Sequence, residues 1–319
     1  LKLELDLKKG ALETDIKSLK KAARQTVGPE LEKRIQIIID TGLIDLKEDF
    51  KIYWNNSPIA KLMPGKDYLS PNVELIVDEI LEQNQKQKLI SFLNKWLKTK
   101  INTILESLIN LKNIKDNNSS IKALAYQLYE NNGVLKREKV IDYVKGLEQN
   151  ERKILREHGV KFGRFHIFLF KLIKPDAVSL RTLLWKNYHQ KYLKLNPPKF
   201  GLNFLDDKEL DQKFMLLCGF EKFNNYYVRI DILERLFVQI INANDEKNKE
   251  IKLVPEMLNL LGCNKESFKK LLQNMHYKII EKKDEIFFKY IPKKTTKKTF
   301  VKKNKKESPF NILKDLQLN

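Results

Sequence analysis

One order of secondary-structure elements is predicted twice along this sequence, and it constrains the fold more than any other feature. In its first occurrence, helical spacing of apolar residues predicts short helices at residues 121–131, 137–147 and 151–158, closed by Gly133, Gly146 and Gly159 as plausible helix ends. Aromatic and aliphatic residues at 160–170 then predict a strand or hairpin. Three short helices followed by a hairpin is the order of a winged helix.

The second occurrence is clearer. Helices are predicted at residues 230–243, 255–261 and 265–276, and a hairpin at 278–290 that turns near Lys283. The sharp turn between the second and third helices is typical of a helix-turn-helix. We therefore expect a second winged-helix-like unit here.

The rest of the chain is predicted to be mainly helical. Residues 12–39 indicate a helical pair broken at Gly28 and Pro29, and residues 49–62 indicate a β-hairpin. Further predicted elements are a strand at 73–77, a long helix at 80–111, a helix at 176–193 and a short hairpin at 220–228.

The predicted fold class is mainly α with small β-hairpins (α+β), a helical bundle plus winged-helix-like units, and a disordered basic C-terminal tail. The predicted divisions are 1–48, a helical linker; 49–114, a small hairpin plus long helices; 119–198, a helical unit with a basic aromatic hairpin; 210–291, a winged-helix-like domain; and 292–319, the tail. The polar cluster at 115–120 is the best boundary because Asn and Ser side chains compete with helical hydrogen bonds.

The charge of the chain predicts a polyanionic partner. Its 61 Lys and Arg outnumber 41 Asp and Glu, which leaves a net charge of +20. Cations that neutralise phosphates release counterions, so binding to nucleic acid is favoured and sensitive to salt. The alternative is that an AT-rich genome inflates the lysine content, in which case the charge does not indicate a partner. Net charge bears on association and not on fold.

The C-terminal tail carries its own charge pattern. From Pro292 onward it contains eight lysines before its first acid, Glu307. Such a run repels itself and predicts a disordered arm that contacts phosphates. The end of the tail, with Phe310, Leu313 and Leu316, has a short apolar face that would suit a protein partner.

The sequence contains no motif for ATP hydrolysis, metal binding or nuclease chemistry. The segment nearest to a phosphate-binding loop, Gly65-Lys66-Asp67, lacks the preceding glycine and the hydroxyl that binds magnesium, so we expect no cofactor and no ATP hydrolysis by this chain alone. Isolated histidines and two distant cysteines predict no metal site. The pairs Asp206/Asp207 and Asp231/Glu234 fit helix N-terminal charges better than nuclease carboxylates.

The cellular context follows from similar observations. Two cysteines far apart fit a reducing, cytoplasmic compartment, and no apolar run is long enough to span a bilayer. Residue 1 is not Met, which leads us to expect that the chain is a fragment of a longer protein.

Cations alternate with aromatic residues from Gly159 to Pro175, a combination that suits single-stranded nucleic acid because bases stack on rings while cations bind phosphates. For Phe168 to Phe170 a buried position is favoured, whereas the cations are predicted contacts. The predicted nucleic-acid-binding residues are Lys161, Arg164, Lys171, Lys174, Arg181, Lys265, Lys269, Lys270, Lys282, Lys283, Lys293, Lys294, Lys297, Lys298, Lys302 and Lys303.

Several segments, in order, resemble the C-terminal region of alphaproteobacterial ATP-dependent helicases of the DEAD/DEAH-like superfamily 2, related to the mitochondrial RNA-degradosome helicase. The matching segments are 52–54, 58–62, 71–75, 123–128, 159–185, 228–236 and 308–310. The resemblance implies two RecA-like motor domains upstream of Leu1, which would bind ATP and magnesium. It also implies that residues 1–48 follow that motor.

Together these observations predict an accessory region that grips single-stranded or partly duplex RNA or DNA for an upstream helicase motor. The alternative is a self-standing winged-helix scaffold or regulator that binds protein partners or nucleic acid. Winged helices serve both purposes, so the fold alone does not decide between them.

Overall fold

The computed structural model describes residues 13–76, 81–114, 119–243, 250–282 and 285–291. Helices dominate this part of the chain, and small antiparallel sheets accompany them, which confirms the predicted α+β class. The predicted tail lies outside the described residues.

The N-terminal helix α1, Glu13–Thr41, runs without interruption through Pro29. The prediction of a helical pair broken at Gly28 and Pro29 was therefore wrong. Proline inside a helix costs about 3 kcal/mol, but each buried aliphatic side chain contributes about 1.5–3 kcal/mol. Leu31, Ile35 and Ile38 are all buried on one face after the proline, so their packing outweighs its cost.

A four-stranded antiparallel sheet follows α1, with strands in sequence order. Its strands are β1 (Ile44–Leu46), β2 (Lys51–Trp54), β3 (Ser57–Met63) and β4 (Asn72–Leu75). Asn55 and Asn56 both have positive φ, 46° and 61°, as a tight two-residue hairpin turn requires. The predicted hairpin at 49–62 is confirmed, and β4 overlaps the strand predicted at 73–77 from Val73 to Leu75.

Two helices pack beside this sheet where one was predicted. They are α2 (Gln83–Ile104) and α3 (Glu106–Lys112), separated at Leu105. The buried residues Leu89, Leu93, Leu97 and Ile101 recur every four positions and form the inner face of α2.

The remaining described residues form three units that share one order of elements: a helix, a strand, one or two helices and a hairpin. The first winged-helix unit consists of α4 (Ser119–Glu130), β5 (Val134–Lys136), α5 (Ile141–Gly146), α6 (Gln149–Glu157), β6 (Val160–Phe162) and β7 (His166–Leu169). Its antiparallel sheet has the order β5-β7-β6.

The second and third winged-helix units repeat this arrangement. The second consists of α7 (Pro175–Tyr188), β8 (Phe204–Asp206), α8 (Gln212–Leu217), β9 (Phe220–Phe223) and β10 (Tyr226–Arg229). The third consists of α9 (Ile230–Asn242), β11 (Ile251–Lys252), α10 (Pro255–Leu261), α11 (Lys265–Asn274), β12 (Tyr277–Lys282) and β13 (Glu285–Tyr290). In each sheet the last strand lies in the middle, in the orders β8-β10-β9 and β11-β13-β12.

One hydrophobic core joins the N-terminal part of the chain to the first winged-helix unit. It includes residues from Leu31 in α1 to Leu184 in α7 and therefore draws on both sides of the polar cluster at 115–120. The stretches predicted as 49–114 and 119–198 thus share a core. The third winged-helix unit builds a separate core around Leu236, Phe268 and Phe288.

Candidate nucleic-acid interface

The β6–β7 hairpin carries two of the predicted contacts, Lys161 in β6 and Arg164 in the bend that joins the two strands, and both side chains are exposed. Glu234 of α9 holds this bend in place, because its carboxylate accepts hydrogen bonds from the backbone N–H groups of Arg164, Phe165 (2.9 Å) and His166 (3.0 Å). The third winged-helix unit thereby fixes the loop that presents Arg164.

Close approach of this carboxylate requires a glycine in the bend. A Cβ atom at Gly163 would lie 2.3 Å from Cδ of Glu234, well inside van der Waals contact. The Gly163 carbonyl also accepts a hydrogen bond from Nη1 of Arg137 at 2.6 Å. The conformation of the bend is therefore set by contacts with both the first and the third units.

A buried charge cluster lies beneath the bend. Nε2 of His166 lies 2.8 Å from Oε2 of Glu221 in β9, and the ammonium of Lys136 in β5 contacts the other oxygen of Glu221. Nδ1 of His166 has no hydrogen-bond partner among the residues that the structure describes. Oε1 of Glu234 lies 3.8 Å from it, too far for a hydrogen bond but close enough for charge attraction. The cluster connects all three winged-helix units.

The protonation of this cluster follows from its geometry. Burial disfavours the charged imidazole, but contacts with Glu221 and Glu234 outweigh burial and raise the pKa of His166. Burial would raise the pKa of Glu221 as well, but hydrogen bonds from His166 and Lys136 outweigh it and lower that pKa. The pair is therefore best described as an imidazolium beside a carboxylate.

Lys171 and Lys174 lie on the surface next to the start of α7, and both already have partners. The Lys171 ammonium is 3.1 Å from Oε2 of Glu106, and the Lys174 ammonium is 4.7 Å from the centre of the Phe170 ring. Phe168 is buried, as the sequence favoured. The hairpin rings predicted beside these cations therefore contribute mainly to packing.

Arg181 was wrongly predicted as a nucleic-acid contact, because its side chain is fully buried. Its guanidinium donates to the carbonyl oxygens of Asn132 (2.7 Å), Leu172 (3.1 Å) and Leu217. Burial lowers the pKa of Arg181 to about 10, which still leaves it charged at neutral pH. Arg181 joins the first and second units and is not accessible to a phosphate.

In the third winged-helix unit, α11 precedes the hairpin and presents two exposed cations. Lys265 and Lys270 have no ion-pair partner among the residues that the structure describes. The side chain of Asn264 caps this helix by accepting from the N–H of Ser267 at 2.8 Å. The cap fixes where α11 begins and so where Lys265 is held.

The other cations predicted in this unit are partly neutralised. Lys269 makes ion pairs with Glu266 (2.9 Å) and Glu281 (2.7 Å), and the hydrogen bonds that its ammonium donates to Glu281 and Glu266 raise its pKa. Lys282 pairs with Glu250 at 2.6 Å. Both are therefore weaker candidates for phosphate contact than Lys265 and Lys270.

The remaining predicted contacts lie outside the described residues. They are Lys283, Lys293, Lys294, Lys297, Lys298, Lys302 and Lys303, and the apolar end with Phe310, Leu313 and Leu316 lies there too.

Sequence reasoning missed a cleft of about 680 Å³ that is lined by aromatic side chains and cations. It lies between the α3–α4 pair and the C-terminal end of α7. Lys122 and Tyr126 are one helical turn apart on α4, and His189 follows the end of α7 four positions after Trp185. These spacings were visible in the sequence, but only the fold brings the two helices together.

Two of the carboxylates that were considered for nuclease chemistry, Asp231 and Glu234, have structural partners. Asp231 forms a bidentate pair with Arg229, at 2.6 and 2.9 Å, and Glu234 holds the β6–β7 bend. Among the described residues no group of three or more His, Cys, Asp or Glu side chains is arranged to hold a metal ion. Within that same part of the chain, no helix has the length and apolar character needed to cross a membrane.

In comparisons with known proteins, no family model, no curated protein and no solved structure matches this chain. The resemblance to the helicase C-terminal region therefore stays a prediction.

Proposed function

We propose that this chain is a nucleic-acid-binding region of an ATP-dependent RNA or DNA helicase, and that ATP and magnesium are bound by motor domains upstream of it. The observation that carries the proposal is that Lys265 and Lys270 on α11 are exposed and have no ion-pair partner among the described residues. In helix-turn-helix proteins the corresponding helix is the one that contacts nucleic acid.

Charge elsewhere in the chain supports the same proposal. Lys161 in β6 and Arg164 in the β6–β7 bend are exposed, and the whole sequence has a net charge of +20. Cations distributed over several surfaces, without a dense set of base-reading side chains, fit binding of single strands without strong sequence preference.

Replacing Lys265 and Lys270 together by alanine tests this proposal. Each lost phosphate contact should reduce the slope of log K against log salt by about 0.7, so the double variant should lose about 1.4. The measurement is fluorescence anisotropy of a labelled single-stranded 20-mer over a range of salt concentrations.

The matched control is the double variant Lys95→Ala/Lys98→Ala, which removes the same charge from the exposed side of α2. Its salt slope should fall less than that of the α11 variant. Equal slopes in the two variants would show that charge alone, and not the α11 surface, governs binding.

The second candidate function is a scaffold that binds protein partners. Val238 and Ile241 favour it, because these aliphatic side chains on α9 are 55% and 54% exposed and lie one turn apart. Replacing both by serine should abolish partner binding in that case and leave nucleic-acid affinity unchanged.

A further inference from the structure

The cleft between α3, α4 and α7 has walls that suit a flat ring. Tyr126 and Tyr129 come from α4, Trp185 comes from α7, and Tyr68 comes from the loop between β3 and β4. The volume of about 680 Å³ falls within the usual range of small-molecule sites and is ample for a nucleotide.

One wall of the cleft is held rigidly. The Trp185 indole stacks on Tyr192 with ring centres 4.5 Å apart, and His189 lies 4.7 Å from it on another side. Burial, with Lys191 and Lys213 nearby, lowers the pKa of His189 and keeps its ring neutral at physiological pH. A fixed aromatic wall loses little entropy when a ligand stacks against the site.

The other wall is open to solvent. Tyr126 is 61% exposed although it carries one of the larger rings of the cleft. The Lys112 ammonium lies 5.3 Å from the centre of the Tyr129 ring, so this side of the cleft has a cation next to an aromatic ring. A ring that enters the cleft would find aromatic faces and nearby cations together.

The Tyr68 hydroxyl supplies a polar group that lacks a partner. It is buried and makes no hydrogen bond within the described residues. Burial raises the pKa of Tyr68, so the hydroxyl keeps its proton and can both donate and accept. Buried polar groups normally have partners, and a ligand with a polar edge would provide one once the Tyr68 side chain turns its hydroxyl toward the cleft.

The charges around the cleft nearly cancel. Lys112 and Lys122 are offset by Asp67 and Glu130, which also line it. A highly charged anion would therefore gain little here, whereas a planar, uncharged ring attached to one phosphate would suit both the aromatic faces and the lysines.

We infer that this cleft binds a nucleobase, and that in the proposed function, on which this inference rests, the base belongs to a single strand held by the α11 surface and the β6–β7 bend. A free nucleotide offers the same base and phosphate. The cleft contributes stacking, while the lysines elsewhere contribute most of the salt-dependent binding.

Tyr126→Ala tests the inference in the full chain with the labelled 20-mer. Losing one stacking contact should lower affinity about tenfold without changing the salt slope, because no phosphate contact is removed. Tyr126→Phe keeps a ring that can stack and should recover most of that loss. The control is Tyr143→Ala, which removes an exposed tyrosine of α5 outside the cleft and should bind as the unaltered chain does.

Tyr68→Phe provides a second variant that keeps the shape of the cleft. Because its hydroxyl has no partner among the described residues, the variant should melt at the same temperature as the unaltered chain or higher, yet bind the 20-mer several-fold more weakly. A lower melting temperature with unchanged affinity would show that the hydroxyl serves the fold and not a ligand.

Competition by millimolar AMP or UMP distinguishes the two sources of the base. Displacement of the 20-mer that is lost in Tyr126→Ala would show that the cleft also takes free nucleotides. If the 20-mer binds equally well to Tyr126→Ala, Tyr143→Ala and the unaltered chain, the inference is overturned while the proposed function stands. If the 20-mer does not bind but AMP binds through Tyr126, the proposed function fails and the cleft stands; if neither binds, both fail.

Discussion

His166 combines burial with two facing carboxylates, which makes its protonation part of the stability of the fold. Because its pKa is raised above 6.5 in the folded chain, its contribution is fully present below pH 6.5 and is lost as pH rises through the folded pKa. The pKa values of Glu221 and Glu234 are lowered below 4.5, so their contribution is lost only in acid. The cluster therefore stabilises most between these limits.

Replacing His166 by glutamine tests this account. At pH 6 the free energy of unfolding should fall by about 3 kcal/mol, since Glu221 loses a buried charged partner. The difference between the two proteins should shrink as pH rises above 6.5, in urea denaturation followed by circular dichroism. A difference that stays constant from pH 6 to 9 would show that His166 is neutral in the folded chain.

Arg181 shows the limit of residue-type reasoning. A basic residue near other cations predicts a contact at the surface. The Arg181 guanidinium is instead buried and donates hydrogen bonds to three backbone carbonyl oxygens. Those carbonyls come from residues 132, 172 and 217, and only the folded chain brings them together. No pattern along the sequence marks such a convergence.

At the scale of elements, the β6–β7 bend depends on a glycine that leaves room for Glu234. Gly163→Ala should displace this carboxylate from the three N–H groups it binds and destabilise the chain by roughly 2–3 kcal/mol, because buried hydrogen bonds to a charge are lost. Thermal melting measures the effect.

The matched control for that substitution is Gly146→Ala at the end of α5, where a Cβ atom meets nothing within 4 Å. It should leave the melting temperature nearly unchanged. Equal melting temperatures for the two alanine variants would contradict the bracing of the bend by Glu234.

The sequence predicted most elements because their signals are local. Asn55 and Asn56 mark a hairpin turn, and the four-residue spacing in α2 marks a buried face. The unit from α7 to β10 was not predicted as a winged helix, because β8 has three residues and α8 has six, too few to show a periodicity. The cleft was missed because its walls come from elements far apart in sequence.

At the scale of the whole molecule, three winged-helix units are tied together by buried polar contacts as well as by apolar packing. Lys136, His166, Glu221 and Glu234 link all three, and Arg181 links the first two. This arrangement supports fixed spacing between the α11 surface, the β6–β7 bend and the cleft.

The central claim is that this chain binds single-stranded nucleic acid through its exposed cations, and the affinity of the unaltered chain for a labelled 20-mer at 50 and 200 mM salt tests it most directly. We expect clear binding at the lower concentration and a loss of affinity on the order of tenfold or more at the higher one, because released counterions drive the association. Absence of binding at 50 mM salt, or the same affinity at both concentrations, would contradict the account and favour a scaffold for protein partners.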